Sequence, residues 1–432
     1  MSNDNLVQST LDQLRPLIDQ YFQASKGDNH SGPWSISLST PTFGADEVME
    51  VLDSLLSTEV TMGRKVKEFE ERFAEYIGVR HAIMVNSGSS ANLLALTMLT
   101  DPQLEGRIKP GDEIITPAVT WASTVYPIIQ VGAIPVLVDV ELETVNMGLA
   151  QLEAALTPLT RGIMLVHLLG KPCPMDTIME FARAHNLFVI EDCCEAHGAE
   201  FGNRRVGSFG HLGTYSFYFS HHITTIEGGM IVTNDDDLAE SARALRAFGW
   251  VRDLKNRQTL ALENPKIDDR FLFVSLGFNV RPTEIQGAFG MHQLGKLEGF
   301  IEARQANARY WTERLRPFEK YFLLPVEQEG ARHAWLFYPL IVRPDAPFTR
   351  SEVVQFLESK GVETRPVMAG NMAEQPVMRH FAYRSDGALT NARFIMRNGL
   401  LFGTHHGIGP QEREALVDYI KEFVAIHTAS RK

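Results

Sequence analysis

The chain has 432 residues, 44% hydrophobic, 22% charged and 9% aromatic, an ordinary globular composition that excludes a disordered, collagen-like or coiled-coil protein. Its 41 Lys and Arg against 53 Asp and Glu give a net charge of −12, which argues against nucleic-acid or anionic-lipid partners and leaves only local basic pockets. Three cysteines, Cys173, Cys193 and Cys194, are too few and too clustered for a disulfide framework and suit a reducing compartment.

From the N-terminus, MSNDNLVQST lacks the basic start and apolar core of a signal peptide. No apolar run approaches the roughly 20 residues that span a bilayer, so a cytoplasmic protein without a membrane partner is expected. Leu6, Leu11, Leu14, Leu17, Ile18 and Phe22 recur at helical spacing, and the polar stretch Lys26 to Pro33 reads as a linker. Helices are expected from Ala45 to Leu56 and from Val66 to Tyr76, then an apolar strand from Ala82 to Val85, a Ser/Gly turn and a helix from Ala91 to Leu99. Strand patterns at Glu113 to Ile115, Ile134 to Val138, Gly162 to His167 and Leu187 to Ile190 alternate with helical patterns near Ser123 to Val131, Leu149 to Leu156 and Met175 to His185. Such a βα series folds as a mostly parallel sheet covered by helices. Short strands from Gly213 to Phe217 and Met230 to Thr233 follow, then one helix from Glu284 to Gln305, and strands from Leu336 to Val342 and Val362 to Thr364 among further helices. The expected organisation is an N-terminal helix and linker over 1–40, a large domain over 41–300 and a small C-terminal α/β domain over 301–432.

Three segments carry chemistry. Asn86-Ser87-Gly88-Ser89-Ser90-Ala91-Asn92 places small residues between a strand and a helix, where backbone N–H groups and the helix dipole suit a phosphate. It lacks the Gly-Lys-Ser/Thr of a Walker loop, and a plain connection is the alternative. Glu191-Asp192-Cys193-Cys194-Glu195-Ala196-His197 brings carboxylates to the end of a buried strand, where α/β sheets gather their active-site groups, although Asp192 would also serve as a helix cap. Adjacent cysteines without a second spaced pair do not match a zinc pattern, so no metal is expected. The third segment is Ser216-Phe217-Tyr218-Phe219-Ser220-His221-His222-Ile223, ending in Glu227-Gly228-Gly229.

With that segment the chain resembles the DegT/StrS nucleotide-sugar aminotransferases, fold-type I pyridoxal phosphate (PLP) enzymes, over roughly residues 35 to 425. Supporting stretches include TMGRKVKEFEERFA from Thr61, TPAVTWAST from Thr116, VHLLGKPCPMD from Val166 and GFNVRPTEIQGA from Gly277. The resemblance implies that Asp192 pairs with the pyridine nitrogen and keeps the ring an electron sink. Trp121 would stack on the ring, a core aromatic being the alternative. Gly88, Ser89 and Ser216 would take the phosphate, and Asn279 would reach it from a neighbouring subunit, implying a homodimer with shared sites. Glu195 stands where many members have Gln near the ring hydroxyl.

One position departs from the aminotransferase pattern. Where the family places its cofactor-anchoring lysine this chain has His221, and no lysine lies between Lys171 and Lys255. Imidazole makes no lasting covalent link to the cofactor aldehyde, but with an unperturbed pKa of about 6.5 it moves protons at neutral pH. The replacement resembles the 3-dehydratase branch of the family, in which a His-His-Ile segment takes the lysine's place and pyridoxamine phosphate (PMP) assists loss of the C3 hydroxyl from a nucleotide-linked 4-keto-6-deoxy sugar. His221 is the expected base and His222 a substrate-binding residue. Arg365, in Glu363-Thr364-Arg365-Pro366, would clamp a glutamate carboxylate or the sugar diphosphate, or lie on the surface.

The branch has two lineages. One carries a [2Fe-2S] cluster fed by a reductase; the other regenerates PMP with glutamate. Three cysteines do not supply the usual four cluster ligands and favour the glutamate route, whereas the length and the segment Gly370 to Pro376 look more like the cluster-bearing lineage. A sugar aminotransferase using a distant lysine and a non-catalytic cofactor-binding protein are the competing readings.

Overall fold

In the computed structural model, which describes residues 3–25 and 34–429, the βα alternation becomes one eight-stranded sheet. Its strands are β1 His81–Val85, β2 Glu113–Pro117, β3 Ile134–Val138, β4 Thr160–Val166, β5 Phe188–Asp192, β8 Leu212–Ser216, β9 Gly229–Thr233 and β14 Arg384–Ser385. They lie in the order β1-β9-β8-β5-β4-β2-β3-β14. From β8 to β14 every neighbouring pair is parallel, and only β9 runs against its neighbours β1 and β8. Because both faces are covered, the inner strands are near-continuous apolar runs rather than alternating ones: all residues of β2, β8 and β9 are buried.

The fully parallel set places the carboxyl ends of β2, β4, β5 and β8 along one edge of the sheet, and β1, antiparallel to β9, ends there too. Chain order reverses between β2 and β4, since β3 lies on one side of β2 and β4 on the other. Ligands of open α/β sheets bind at such a crevice.

A second sheet, β10 Phe322–Leu323, β12 Phe337–Val342, β15 Gly399–Gly403 and β13 Arg365–Pro366, is antiparallel throughout. It packs a core of Trp311, Tyr338, Phe402 and Phe423 against the helices Leu297–Leu315, Arg350–Ser359 and Pro410–Ala429. A small sheet of β6 Glu200–Phe201, β7 Arg204–Arg205 and β11 Ala331–Arg332 joins the two regions. The helix Asn3–Ala24 packs on Ala45–Leu56; the expected linker over 26–33 lies outside the described residues.

Two expectations change. The single helix from Glu284 to Gln305 is two, Glu284–Leu294 and Leu297–Leu315. Gly295 caps the first, a residue that weakens a helix interior and so marks the place of the break. Val362 pairs only with Ile36 through an isolated bridge, and the strand at that point is Arg365–Pro366. Among the described residues no helix is long and apolar enough to cross a membrane.

Candidate active site

A cavity of about 480 Å³ opens at the carboxyl edge of the large sheet. Its floor is the turn after β1. Ser87 caps the helix Gly88–Met98, its hydroxyl accepting the Ser90 N–H at 3.1 Å, which leaves the first N–H groups of the helix for a ligand. Close approach fixes two glycines here: a Cβ on Gly88 would overlap the Ser216 side chain, and one on Gly229 would overlap the Ser87 carbonyl. Gly88, Ser89 and Ser216 thus meet in one cradle of backbone and hydroxyl donors on the cavity wall. Donors converging in this way can hold a phosphate, the expectation for this turn.

Asp192 ends β5 and is saturated with donors. Its Oδ2 accepts from Asn92 Nδ2 and Thr124 Oγ1, both at 2.8 Å, and its Oδ1 from the Cys194 N–H at 3.1 Å. Thr214 donates to Asn92 Oδ1 at 2.6 Å, which settles the orientation of that amide. Three donors fix the position of this side chain at the end of the strand. The sequence pattern assigns no role to Asn92 or Thr124; the one signal it offers is that Asn92 sits four residues after Gly88, on the helix that the turn starts. Trp121 precedes the helix Ala122–Gln130 and is 55% exposed while lining the cavity. It is no core aromatic, and its ring face is free to stack.

His221 also lines the cavity. Its Nδ1 sits 2.9 Å from the Ser216 carbonyl, an acceptor, so Nδ1 carries the proton and the Nε2 lone pair is left for chemistry. Burial pushes its pKa below the ordinary value, partly offset by the Ser216 carbonyl and the Asp192 charge, and the ring is neutral at pH 7. Glu195 also lines the cavity. Burial raises its pKa to about 8 against the opposing contact from the Leu169 N–H, which Oε2 accepts at 2.7 Å. At neutral pH it is a carboxylic acid, a hydrogen-bond donor like the Gln it replaces in many family members.

Three further residues lie elsewhere. His222, expected at the substrate, is fully buried away from the cavity wall and donates Nε2–H to the Ala334 carbonyl at 3.0 Å. Arg365 is exposed, its guanidinium held by Glu363 at 2.8 Å and by the Thr364 carbonyl, so the surface alternative describes its place within one chain. Asn279 is exposed outside the cavity, bonded to Arg281. Among the described residues no lysine lines the cavity, and Lys171 spends its ammonium on the Val326 carbonyl. His167, Glu191 and Cys193 lie within ligand distance of one another, but their atoms are already used. His167 Nδ1 accepts the Cys173 N–H, its Nε2 donates to Glu191, and Glu191 also accepts the N–H groups of Gly207, Phe209 and Gly210. This pair anchors the turn that leads into β8.

The Glu195 environment predicts a pH effect. Its folded pKa is raised, so its contribution to stability is complete below the ordinary carboxyl value near 4.3 and is lost as pH rises through about 8. Glu195→Gln should flatten the fall in Tm between about pH 4 and pH 8. A Tm profile identical to that of the unaltered protein would show that Glu195 is not held neutral.

The sequence profile of the DegT/DnrJ/EryC1/StrS aminotransferase family matches residues 41–421. The chain is 38% identical over 378 residues to GDP-4-keto-6-deoxy-D-mannose 3-dehydratase of Escherichia coli O55:H7, covering 87% of this chain and 95% of that one. It is 37% identical over 437 residues to dTDP-4-dehydro-2,6-dideoxy-D-glucose 3-dehydratase of Saccharopolyspora spinosa, covering 96% and 94%. A solved GDP-4-keto-6-deoxymannose-3-dehydratase with a trapped PLP-glutamate geminal diamine superposes with a TM-score of 0.81 at 35% identity, over 90% of this chain and 100% of that one. The chain belongs to the DegT/DnrJ/EryC1/StrS aminotransferase family.

Proposed function

We propose that this chain is a lyase, a PLP/PMP-dependent 3-dehydratase of a nucleotide-linked 4-keto-6-deoxyhexose in deoxysugar biosynthesis. The observation that carries the reading is a histidine at the position of the anchoring lysine, in a cavity that no lysine lines among the described residues. The phosphate cradle at Gly88, Ser89 and Ser216, the Asp192 side chain and the open face of Trp121 fit the cofactor. When bound, PMP supplies an amine that condenses with the C4 ketone and a ring that accepts the electrons which expel the C3 hydroxyl.

The residues divide the work. Asp192 keeps the ring nitrogen protonated, and Trp121 covers one ring face and excludes water from it. Glu195, as an acid, donates a hydrogen bond to the ring oxygen. His221 accepts at Nε2 a proton from the carbon that bears the cofactor amine. A lysine in its place would tether the cofactor and return that proton within an aminotransferase cycle; an untethered site lets PMP persist into elimination.

Glutamate is the proposed amino donor that restores PMP, in keeping with the PLP-glutamate adduct trapped in the similar structure. The cluster-bearing alternative lacks ligands: Cys173 and Cys193 are buried, and Cys194 alone reaches the cavity. The three free thiols suit a reducing cytoplasm.

A homodimer completes the site in this reading. The cavity wall holds Asp192, Glu195 and Glu227 but neither Lys nor Arg among the described residues, although phosphate, sugar diphosphate and glutamate are all anions. Asn279 and, a few residues before it in sequence, Phe271, Phe273 and Leu276 are exposed, apolar side chains that a second copy would cover while delivering Asn279 to its neighbour's phosphate cradle.

Two substitutions test the reading. His221→Asn should lower dehydration, followed by mass spectrometry of nucleotide sugars incubated with glutamate, by about 10²- to 10⁴-fold; an undiminished rate refutes the role. His221→Lys should give cofactor absorption that survives dialysis and shifts with borohydride, and absence of both counts against the geometry.

A further inference from the structure

His222 is not among the residues that line the cavity, yet its hydrogen bond reaches a strap that runs into the cavity lining. The strap Ala334 to Leu336 leads into β12, and Leu336 and Phe337 line the cavity. Ala334 and Leu336 donate their N–H groups to the carbonyls of Gly170 and Leu169, at 2.8 and 2.9 Å. Trp335 between them holds φ at +52°, a left-handed conformation that costs a bulky residue free energy and persists only when its surroundings enforce it.

Three side chains from three elements supply that enforcement through the strap's carbonyls. Arg304, on the helix Leu297–Leu315, donates Nη1 to Leu336 at 2.8 Å and to Trp335 at 3.3 Å. Thr404, just after β15, donates to Trp335 at 2.6 Å. His222 donates to Ala334 at 3.0 Å. Arg304 is 2% exposed and forms no ion pair among the described residues, a burial too costly to arise without a geometric return. Among the described residues the His222 bond is the one hydrogen bond given between the strap and the loop after β8, beside the packing of Ala334 with Phe217 and Ile223, and His222 is the peptide neighbour of His221. Leu169, which receives the strap, also donates to Glu195, so the same strap registers both the base and the acid of the site.

We propose that His222 is a positioning residue for proton transfer: its Nε2–H bond to Ala334 pins the loop carrying His221 to the strap that runs into the cavity lining at Leu336 and Phe337, and so sets the reach of the His221 imidazole. The inference rests on His221 being the base, and a misplacement of about 1 Å at such a group costs on the order of 10²-fold in rate.

The test measures kcat, cofactor affinity by absorbance titration, and the isotope effect on dehydration with PMP deuterated at the amine-bearing carbon. His222→Leu should lower kcat by about tenfold or more, leave the cofactor Kd within about twofold, and enlarge the isotope effect because proton transfer becomes slower relative to other steps. His222→Gln, which keeps an N–H donor of similar reach, should restore both. An unchanged kcat and isotope effect, or a loss that merely follows cofactor Kd, overturns the proposal. If His222→Leu does not fold, His222→Gln is compared with the shorter His222→Asn: recovery by Gln alone supports the proposal and equal rates overturn it. A full rate in His221→Asn would instead sink the reading of His221 as base, which separates the two failures.

Discussion

The 2.9 Å hydrogen bond from His221 Nδ1 to the Ser216 carbonyl is the contact on which the site turns. It fixes the tautomer, and the tautomer decides which nitrogen is a base. Ser216 ends β8, whose start is held by the turn that Glu191 gathers through three backbone N–H groups and His167. The strand therefore brings to the cavity edge both the Ser216 hydroxyl and the carbonyl that holds the His221 ring, although His221 itself lies in the loop that follows. A loop anchored in this way can hold a side chain to the precision that the proposed proton transfer requires.

Two carboxyl groups three residues apart have different surroundings. Asp192 receives three hydrogen bonds, whereas Glu195 receives one, from Leu169, and burial raises its pKa to about 8. In the proposed function the two would meet one ligand ring at different positions, Asp192 at its nitrogen and Glu195 at its oxygen.

The sheet and its edge were legible in the sequence because buried parallel strands are uninterrupted apolar runs between helical repeats. That Gly88, Ser89, Ser216 and Asp192 meet in one cavity was legible from their places at strand ends, where α/β sheets gather their sites, although each had an ordinary structural alternative. His221 stood out by motif position alone. Asn92 and Thr124 were not legible as partners of Asp192, since residues 100 and 68 positions apart are joined only by the fold. Neither was the burial of His222: in an irregular loop no period tells which of two adjacent side chains faces the ligand. The capture of Arg365 by Glu363 follows a rule of strands, that residues two apart share a face, and a stricter use of it would have set Arg365 aside within a single chain. Strands of two residues, such as β13 and β14, carry no pattern at all.

The most direct test is a crystal structure of the chain soaked with pyridoxamine phosphate. The account predicts a ring with no covalent bond to protein, its nitrogen against Asp192, its phosphate in the Gly88 cradle and its amine-bearing carbon facing His221 Nε2. A cofactor tethered to a lysine, or an imidazole turned away from that carbon, would contradict it.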